Sequence, residues 1–164
     1  MPNEHGATSR PTLAYSPRDL LFDLLRRTAT SGASDLHLKV GVLPTLRHEG
    51  DLIPVEDVPI LTSQTILDFL RVMLTPHKFK TYEETHDLDV GFKLEGVSRF
   101  RVNVAQQRGT PTIAIRVTPD VPPTWEELGI PEVCKEFVRG RAGLVLVTGA
   151  TGAGKSTTLA AMID

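Results

Sequence analysis

A short segment near the end of the sequence has the residue types and the spacing to hold a phosphate group. Residues 149–156 are GATGAGKS, which satisfies the pattern G-x-x-x-x-G-K-[ST] at every fixed position. In such a loop the glycines allow successive backbone N–H groups to turn inward around an anion, at the positive end of the following helix. Lys155 would then reach the β- and γ-phosphates of ATP, and the hydroxyl of Ser156 would ligate Mg²⁺. The segment predicts a nucleotide site with ATP and Mg²⁺ as its cofactors.

The residues on either side of this loop favour the same interpretation. An unbroken apolar run, residues 144–147, leads into the loop as a predicted strand, and residues 156–162 lead out of it as a predicted helix. A glycine-rich turn that binds nothing is the alternative, but such a turn does not require the Lys-Ser pair. The predicted nucleotide-binding residues are Gly149, Ala150, Thr151, Gly152, Ala153, Gly154, Lys155, Ser156 and Thr157.

A second group of candidate residues consists of three arginines on predicted strands. Apolar residues alternate with Arg99 and Arg101 in the segment VSRFRVNV, and Arg116 occupies a polar position in PTIAIRV. A hairpin in which Gln107 pairs with Thr110 keeps the apolar residues of both strands on one face. The same register sets Arg101 directly opposite Arg116.

Two opposed arginines raise the question of which anion they face, since opposed like charges cost a few tenths to about 1 kcal/mol. A phosphate is one candidate. The other interpretation is a solvated basic face with acidic neighbours, such as Asp87 or Asp89 on the adjacent strand. Spacing alone slightly favours the acidic neighbours.

The rest of the sequence supplies the elements that must position these groups. Residues 18–32 predict an amphipathic helix, and an alternating strand follows in SDLHLKVG. Two short strands are predicted around residues 49–51. Thr62 or Ser63 is predicted to cap one helix, and Thr75 to cap the next. The alternating segments DLDVGFKL, VSRFRVNVAQ and PTIAIRVT predict an antiparallel meander. Residues 18–118 are therefore predicted to form one α+β domain.

The remaining residues predict three further segments. Residues 1–17 lack periodicity and suit a flexible leader, and the proline-rich residues 119–130 suit a linker. Residues 131–164 begin an α/β domain that contains the phosphate loop. We expect this domain to be incomplete, because no second parallel strand, Mg²⁺-binding acid or water-orienting residue follows the loop. The chain alone is therefore expected to be inactive.

Composition limits the classes of function. The formal net charge of −2 provides no basic field for a nucleic-acid partner. Cys134 is the only cysteine, which excludes an internal disulfide and a cysteine zinc cluster. No apolar run approaches the ~20 residues that span a bilayer. We expect a cytosolic protein with no nucleic-acid partner.

Three segments of the sequence resemble a known family: SDLHLKVGVLPTLRHEGDL, SRFRVNVAQQRG and GLVLVTGATGAGKSTTLAAMID. They are similar to the twitching-motility retraction ATPases of type IV pili, in the secretion-ATPase superfamily. The resemblance implies a PAS-like N-terminal domain, a linker and a RecA-like ATPase domain. It also implies a hexameric ring at the cytoplasmic base of the pilus, next to the inner-membrane platform proteins. Arg99, Arg101 and Arg116 match arginines that approach an ATP phosphate in such enzymes.

Three alternatives remain open. Extension and secretion ATPases of the superfamily usually carry further domains before the SDLH-like segment, whereas about 33 residues precede it here, so retraction is favoured. A non-catalytic assembly module is the second alternative, because the ATPase domain is cut short. A nucleic-acid translocase is the third, and the charge balance disfavours it.

Overall fold

The computed structural model describes residues 16–118, 123–150 and 153–163. The chain divides into two compact units, Met1–Thr118 and Pro119–Asp164. Most of the predicted leader lies outside the described residues, as do the start of the predicted linker and two loop residues, Thr151 and Gly152. Within the described residues, no helix is long and apolar enough to cross a membrane.

The described part of the first unit contains three helices: α1 (Pro17–Thr30), α2 (Ser63–Met73) and α3 (Pro76–Thr85). Each begins after a hydroxyl residue in extended conformation, whose side-chain oxygen accepts a hydrogen bond from a backbone N–H three residues later. Such a cap satisfies a donor that the helix itself leaves without a partner. The predicted cap at Thr75 is confirmed, and of the two candidates for α2 the cap is Thr62, not Ser63. Ser16 caps α1 in the same way.

Within residues 16–118, six strands form one antiparallel sheet in the spatial order β3-β2-β1-β6-β5-β4. The strands are β1 (Asp35–Lys39), β2 (Thr45–His48), β3 (Asp51–Pro54), β4 (Asp87–Leu94), β5 (Ser98–Gln107) and β6 (Thr110–Thr118). The predicted meander of β4, β5 and β6 is confirmed. Its last strand also pairs with β1, so the two ends of the unit meet in the middle of the sheet.

The hairpin between β5 and β6 has the predicted register, with Gln107 opposite Thr110. Its two turn residues both have positive φ, 52° at Arg108 and 79° at Gly109. A two-residue turn of this hand matches the twist of the flanking strands, and glycine adopts it without the steric cost that a Cβ would add.

The hydrophobic core lies on one face of the sheet, where α1 and α2 pack against it. Alternate residues of the strands enter this core and are almost completely buried; these are Leu36, Leu38, Phe100, Val102, Val104, Ile113 and Ile115. Because successive side chains of a strand point to opposite faces, the residues between them lie on the other face. That second face carries Arg99, Arg101, Asn103 and Arg116, which are exposed in the first unit.

Among its described residues the second unit has two helices, α4 (Val133–Arg139) and α5 (Lys155–Ile163). The predicted strand at residues 144–147 is wrong: these residues form no strand, and the side chains of Leu144 and Leu146 are 83% and 74% exposed. A strand needs a neighbouring strand for its backbone hydrogen bonds, and the described part of this unit offers none. Apolar composition without a pairing partner does not make a strand.

Candidate functional site

The Lys-Ser pair of the loop lies at the first turn of α5, as a phosphate site requires. The helix begins at Lys155, immediately after Gly154, whose φ of +80° is a conformation that residues with a Cβ rarely adopt. The first helical bond of this turn runs from the N–H of Thr158 to the carbonyl of Gly154, at 2.8 Å. The N–H groups at the start of a helix have no intrahelical acceptor and can bind an anion.

Lys155 folds back over its own loop. Its ammonium donates to the carbonyl oxygens of Gly149 and Ala150, at 2.9 and 2.6 Å. Within the described residues it forms no ion pair with a carboxylate. Neutral carbonyls hold an ammonium less strongly than a carboxylate does, so a phosphate can replace them as its partner. The described contacts therefore leave the Lys155 side chain available to a nucleotide phosphate.

The donor set at α5 fits magnesium bound through a hydroxyl, because Ser156 is exposed at the start of the helix. Thr157 follows it and is half-buried. Mg²⁺ commonly keeps several waters and takes few ligands from the protein, so one hydroxyl beside a nucleotide phosphate suits it. The described residues contain no group of three or more His, Cys, Asp or Glu that could hold a metal ion by themselves.

Three arginines of the first unit and one aspartate form a continuous row across the sheet. Arg101 of β5 lies directly opposite Arg116 of β6, which confirms the predicted register. Arg116 lies opposite Asp35 of β1, and Asp35 lies opposite Arg47 of β2. We call Arg47, Asp35, Arg116 and Arg101 the arginine row. Arg99 lies two residues before Arg101 on the same face, opposite Thr118.

Two carboxylates neutralise part of this row, each by a different geometry. Asp89 of β4 accepts bonds from Nε and Nη2 of Arg101, with the Nε distances at 3.1 and 3.2 Å. From Arg116, Asp35 accepts a single hydrogen bond, which Nε donates at 2.9 Å. The sequence-based interpretation with acidic neighbours is thus confirmed for Asp89, whereas Asp87 forms no ion pair with these arginines in the described residues.

Sequence reasoning missed Asp35 as a partner of Arg116. The alternation of SDLHLKVG placed Asp35 on the polar face of its strand, but the two residues lie 81 positions apart. Only the pairing of β1 with β6 brings them together. No local signal in the sequence could have identified that neighbour.

Both carboxylates remain ionised well below neutral pH. Burial alone would raise the pKa of Asp35, but hydrogen bonds from the Ser34 hydroxyl and from Arg116, with the Arg116 charge, hold it below its usual value. The hydrogen bond from Arg101 likewise lowers the pKa of Asp89, and Asp89 raises the pKa of Arg101. The negative charges of Asp35 and Asp89 are therefore constant across the physiological range.

Comparison with known proteins finds relatives of this chain. No protein-family model matches the chain. The chain is 42% identical over 144 residues to the type IV pilus retraction ATPase PilT of Pseudomonas aeruginosa, covering 88% of the chain and 42% of that protein. It is 38% identical over 140 residues to the type IV pilus ATPase PilU of the same organism, covering 85% of the chain and 36% of that protein.

A solved structure shows the same likeness in three dimensions. The crystal structure of the pilus retraction motor PilT with bound ADP superposes with a TM-score of 0.75 at 39% identity, covering 84% of this chain and 40% of that one. The chain thus spans about two fifths of the length of the relatives that it matches. The predicted resemblance is confirmed, and the chain is related to the N-terminal part of the PilT-type pilus ATPases of the secretion-ATPase superfamily.

Proposed function

We propose that this chain is the N-terminal portion of a hexameric ATPase that hydrolyses ATP to power type IV pilus retraction, and hence twitching motility. The observation that carries the proposal is the complete phosphate-loop pattern, with Lys155 and Ser156 at the start of α5. A relative named as a type IV pilus retraction ATPase, and a solved pilus retraction motor with bound ADP, support it. The full-length protein is a form of this chain that extends over the whole length of these relatives.

The two units take different parts in this proposal. Residues 18–118 act as a PAS-like domain, residues 119–130 as a linker, and residues 131–164 as the start of a RecA-like domain. The ring works in the cytoplasm at the inner-membrane platform proteins of the pilus, without a nucleic-acid partner. The net charge of −2 supports the last point, since a polyanion partner is held by an excess of basic groups.

The loop residues bind and orient the nucleotide. Backbone N–H groups at the start of α5 hold phosphate oxygens, and the Lys155 ammonium exchanges the carbonyls of Gly149 and Ala150 for the β- and γ-phosphates. A magnesium ion, when bound beside the Ser156 hydroxyl, neutralises charge on the phosphates. The guanidinium groups of Arg99, Arg101 and Arg116 approach the phosphate from the first unit and stabilise its charge during transfer.

The experiment is the substitution Lys155→Ala in the full-length protein, with steady-state ATPase turnover as the measurement. Lys135→Ala is the matched control, because Lys135 lies in the same unit but pairs with Glu126 and Glu132 instead of facing the loop. We expect Lys155→Ala to abolish turnover and Lys135→Ala to retain it. Undiminished turnover in Lys155→Ala would remove the central claim.

Two further measurements distinguish a retraction ATPase from an extension or secretion ATPase and from a non-catalytic assembly module. The 164-residue chain alone should show no steady-state turnover, since it contains neither a Mg²⁺-binding acid after the loop nor a water-orienting residue. In cells, deletion of the gene should abolish twitching while surface pili persist, which is the phenotype of lost retraction. Loss of the pili themselves would favour an extension or secretion ATPase, and a full-length protein without turnover would favour a non-catalytic assembly module.

A further inference from the structure

Asp35 differs from every other charged side chain that the structure describes, because it alone is buried. Its exposed fraction is 8%, although it lies on the polar face of the sheet. Burying a carboxylate is costly unless it is paired and hydrogen-bonded, so such a residue needs a compensating set of donors. Asp35 has that set in the arginine row.

The donors around Asp35 fix its carboxylate in one orientation. The Ser34 hydroxyl donates to Oδ2 at 2.8 Å, and Nε of Arg116 donates to Oδ1 at 2.9 Å. Nε of Arg47 lies 3.8 Å from Oδ2 on the opposite side. Each carboxylate oxygen thus has its own donor, and the β1 backbone that carries Asp35 is paired on both edges.

This arrangement fixes Arg116 through Nε and leaves its two terminal amino groups without a protein acceptor in the described residues. Asp35 binds only Nε, and the two terminal amino groups of Arg116 donate to no acceptor within the described residues. The Arg116 side chain is 69% exposed, so these amino groups face solvent. A guanidinium whose orientation is already fixed loses less rotamer freedom when it binds an anion.

Asp89 provides the contrast within the same sheet. It takes both Nε and Nη2 of Arg101, which is one of the edges that a guanidinium offers to a phosphate in a bidentate contact. Its side chain is 43% exposed and lies on an edge strand of the sheet. Asp89 therefore competes with an anion for Arg101, whereas Asp35 leaves the amino groups of Arg116 available.

We propose that Asp35 is a positioning residue for phosphoryl transfer: it orients Arg116 so that both terminal amino groups can receive phosphate oxygens. The inference rests on the proposed function of Arg116. Without the carboxylate, Arg116 lies between Arg47 and Arg101, and Asp89 offsets only the charge of Arg101. Repulsion among the three like charges then moves Arg116 out of line. Asp35 itself touches no substrate.

The test compares four variants of the full-length protein with wild type: Asp35→Asn, Asp89→Asn, Arg116→Gln and the double variant of Asp35→Asn with Arg116→Gln. The measurements are kcat, KM for ATP and the melting temperature. Asp35→Asn keeps the size of the side chain and removes its charge. Asp89→Asn is the matched control, because it removes the charge of the other paired carboxylate in the sheet.

We expect Asp35→Asn to lower kcat on the order of tenfold, the size of loss common when an orienting partner of a binding group is removed. KM should change little, because the contact of Arg116 with phosphate strengthens as charge moves in the reaction. Asp89→Asn should retain kcat or raise it. The double variant should match Arg116→Gln alone, since Asp35 acts only through that arginine.

Two results would overturn the inference while leaving the proposed function intact. One is a wild-type kcat in Asp35→Asn; the other is a double variant whose loss is the product of the two single losses, which indicates a structural role. Wild-type turnover in Arg116→Gln would instead refute the arginine role in the proposed function, and the inference with it. If Asp35→Asn fails to fold, Ser34→Ala is the substitute, because it removes the hydroxyl donor but keeps the carboxylate. We expect Ser34→Ala to lower kcat less than tenfold, and to have no effect on kcat when Arg116→Gln is also present. An unchanged kcat in Ser34→Ala alone would refute the positioning role.

Discussion

Substitutions at adjacent residues of β5 should change the stability of the first unit by very different amounts, because these residues lie on opposite faces of the sheet. Phe100 is 2% exposed and belongs to the core, opposite Phe92 of β4 and Val117 of β6. Arg101, the next residue, is exposed and paired with Asp89. We therefore compare Phe100→Ala with Arg101→Gln, two single changes one position apart.

The expected magnitudes follow from burial. Removing a buried phenylalanine side chain costs about 3–5 kcal/mol in the free energy of unfolding, through lost burial and the cavity left behind. For a domain of about 100 residues this lowers the melting temperature by at least about 12 °C. Arg101→Gln removes an ion pair between exposed side chains, so it should leave the melting temperature near the wild-type value. Phe100→Leu, which keeps most of the apolar volume, is the control for the core position.

The assay must report on the first unit alone. Trp125, the only tryptophan, lies in the second unit, so its fluorescence would follow the wrong part of the chain. Hydrogen–deuterium exchange of peptides from β5 and β6, measured across a urea series, follows the sheet directly. The assignment of faces would be refuted if Phe100→Ala lowered the free energy of unfolding by less than about 1 kcal/mol. It would also be refuted, with the exposed position of the arginines, if Arg101→Gln lowered the free energy of unfolding as much as Phe100→Ala.

Three further predictions concern stability. Thr62→Ala should lower the free energy of unfolding by about 1 kcal/mol, because Thr62 Oγ1 accepts the N–H of Thr65 at 3.1 Å; unchanged urea midpoints would contradict the cap. Gly109→Ala should cost about 1–2 kcal/mol, because φ at Gly109 is +79°; Gly109→Asn, which tolerates that conformation better, should cost less in the same assay, and equal losses would count against the turn. The folded-state pKa of Asp35 is lowered, so its stabilising effect is complete above the unfolded pKa of about 3.9 and disappears as pH falls through the folded value. The difference in urea midpoint between wild type and Asp35→Asn should therefore be constant near neutral pH and shrink below about pH 4, and a difference independent of pH would refute the ion pair.

Local sequence determined the elements that depend on neighbours along the chain. Thr62 and Thr75 predicted two helix starts, since a cap involves residues only three positions apart. The alternation in β5 and β6, with glycine in the turn, predicted the register that sets Arg101 opposite Arg116. The phosphate-loop pattern predicted the start of α5, because each of its residues has a local conformational or chemical task.

The tertiary structure alone decided which distant strands are neighbours. Alternation shows which face a side chain occupies but not which strand lies beside it, so the contact of Asp35 with Arg116 depends on the pairing of β1 with β6. The same limit explains the wrong strand at residues 144–147. An apolar run becomes a strand only when another strand supplies donors and acceptors for its backbone, and those groups belong to residues elsewhere in the chain.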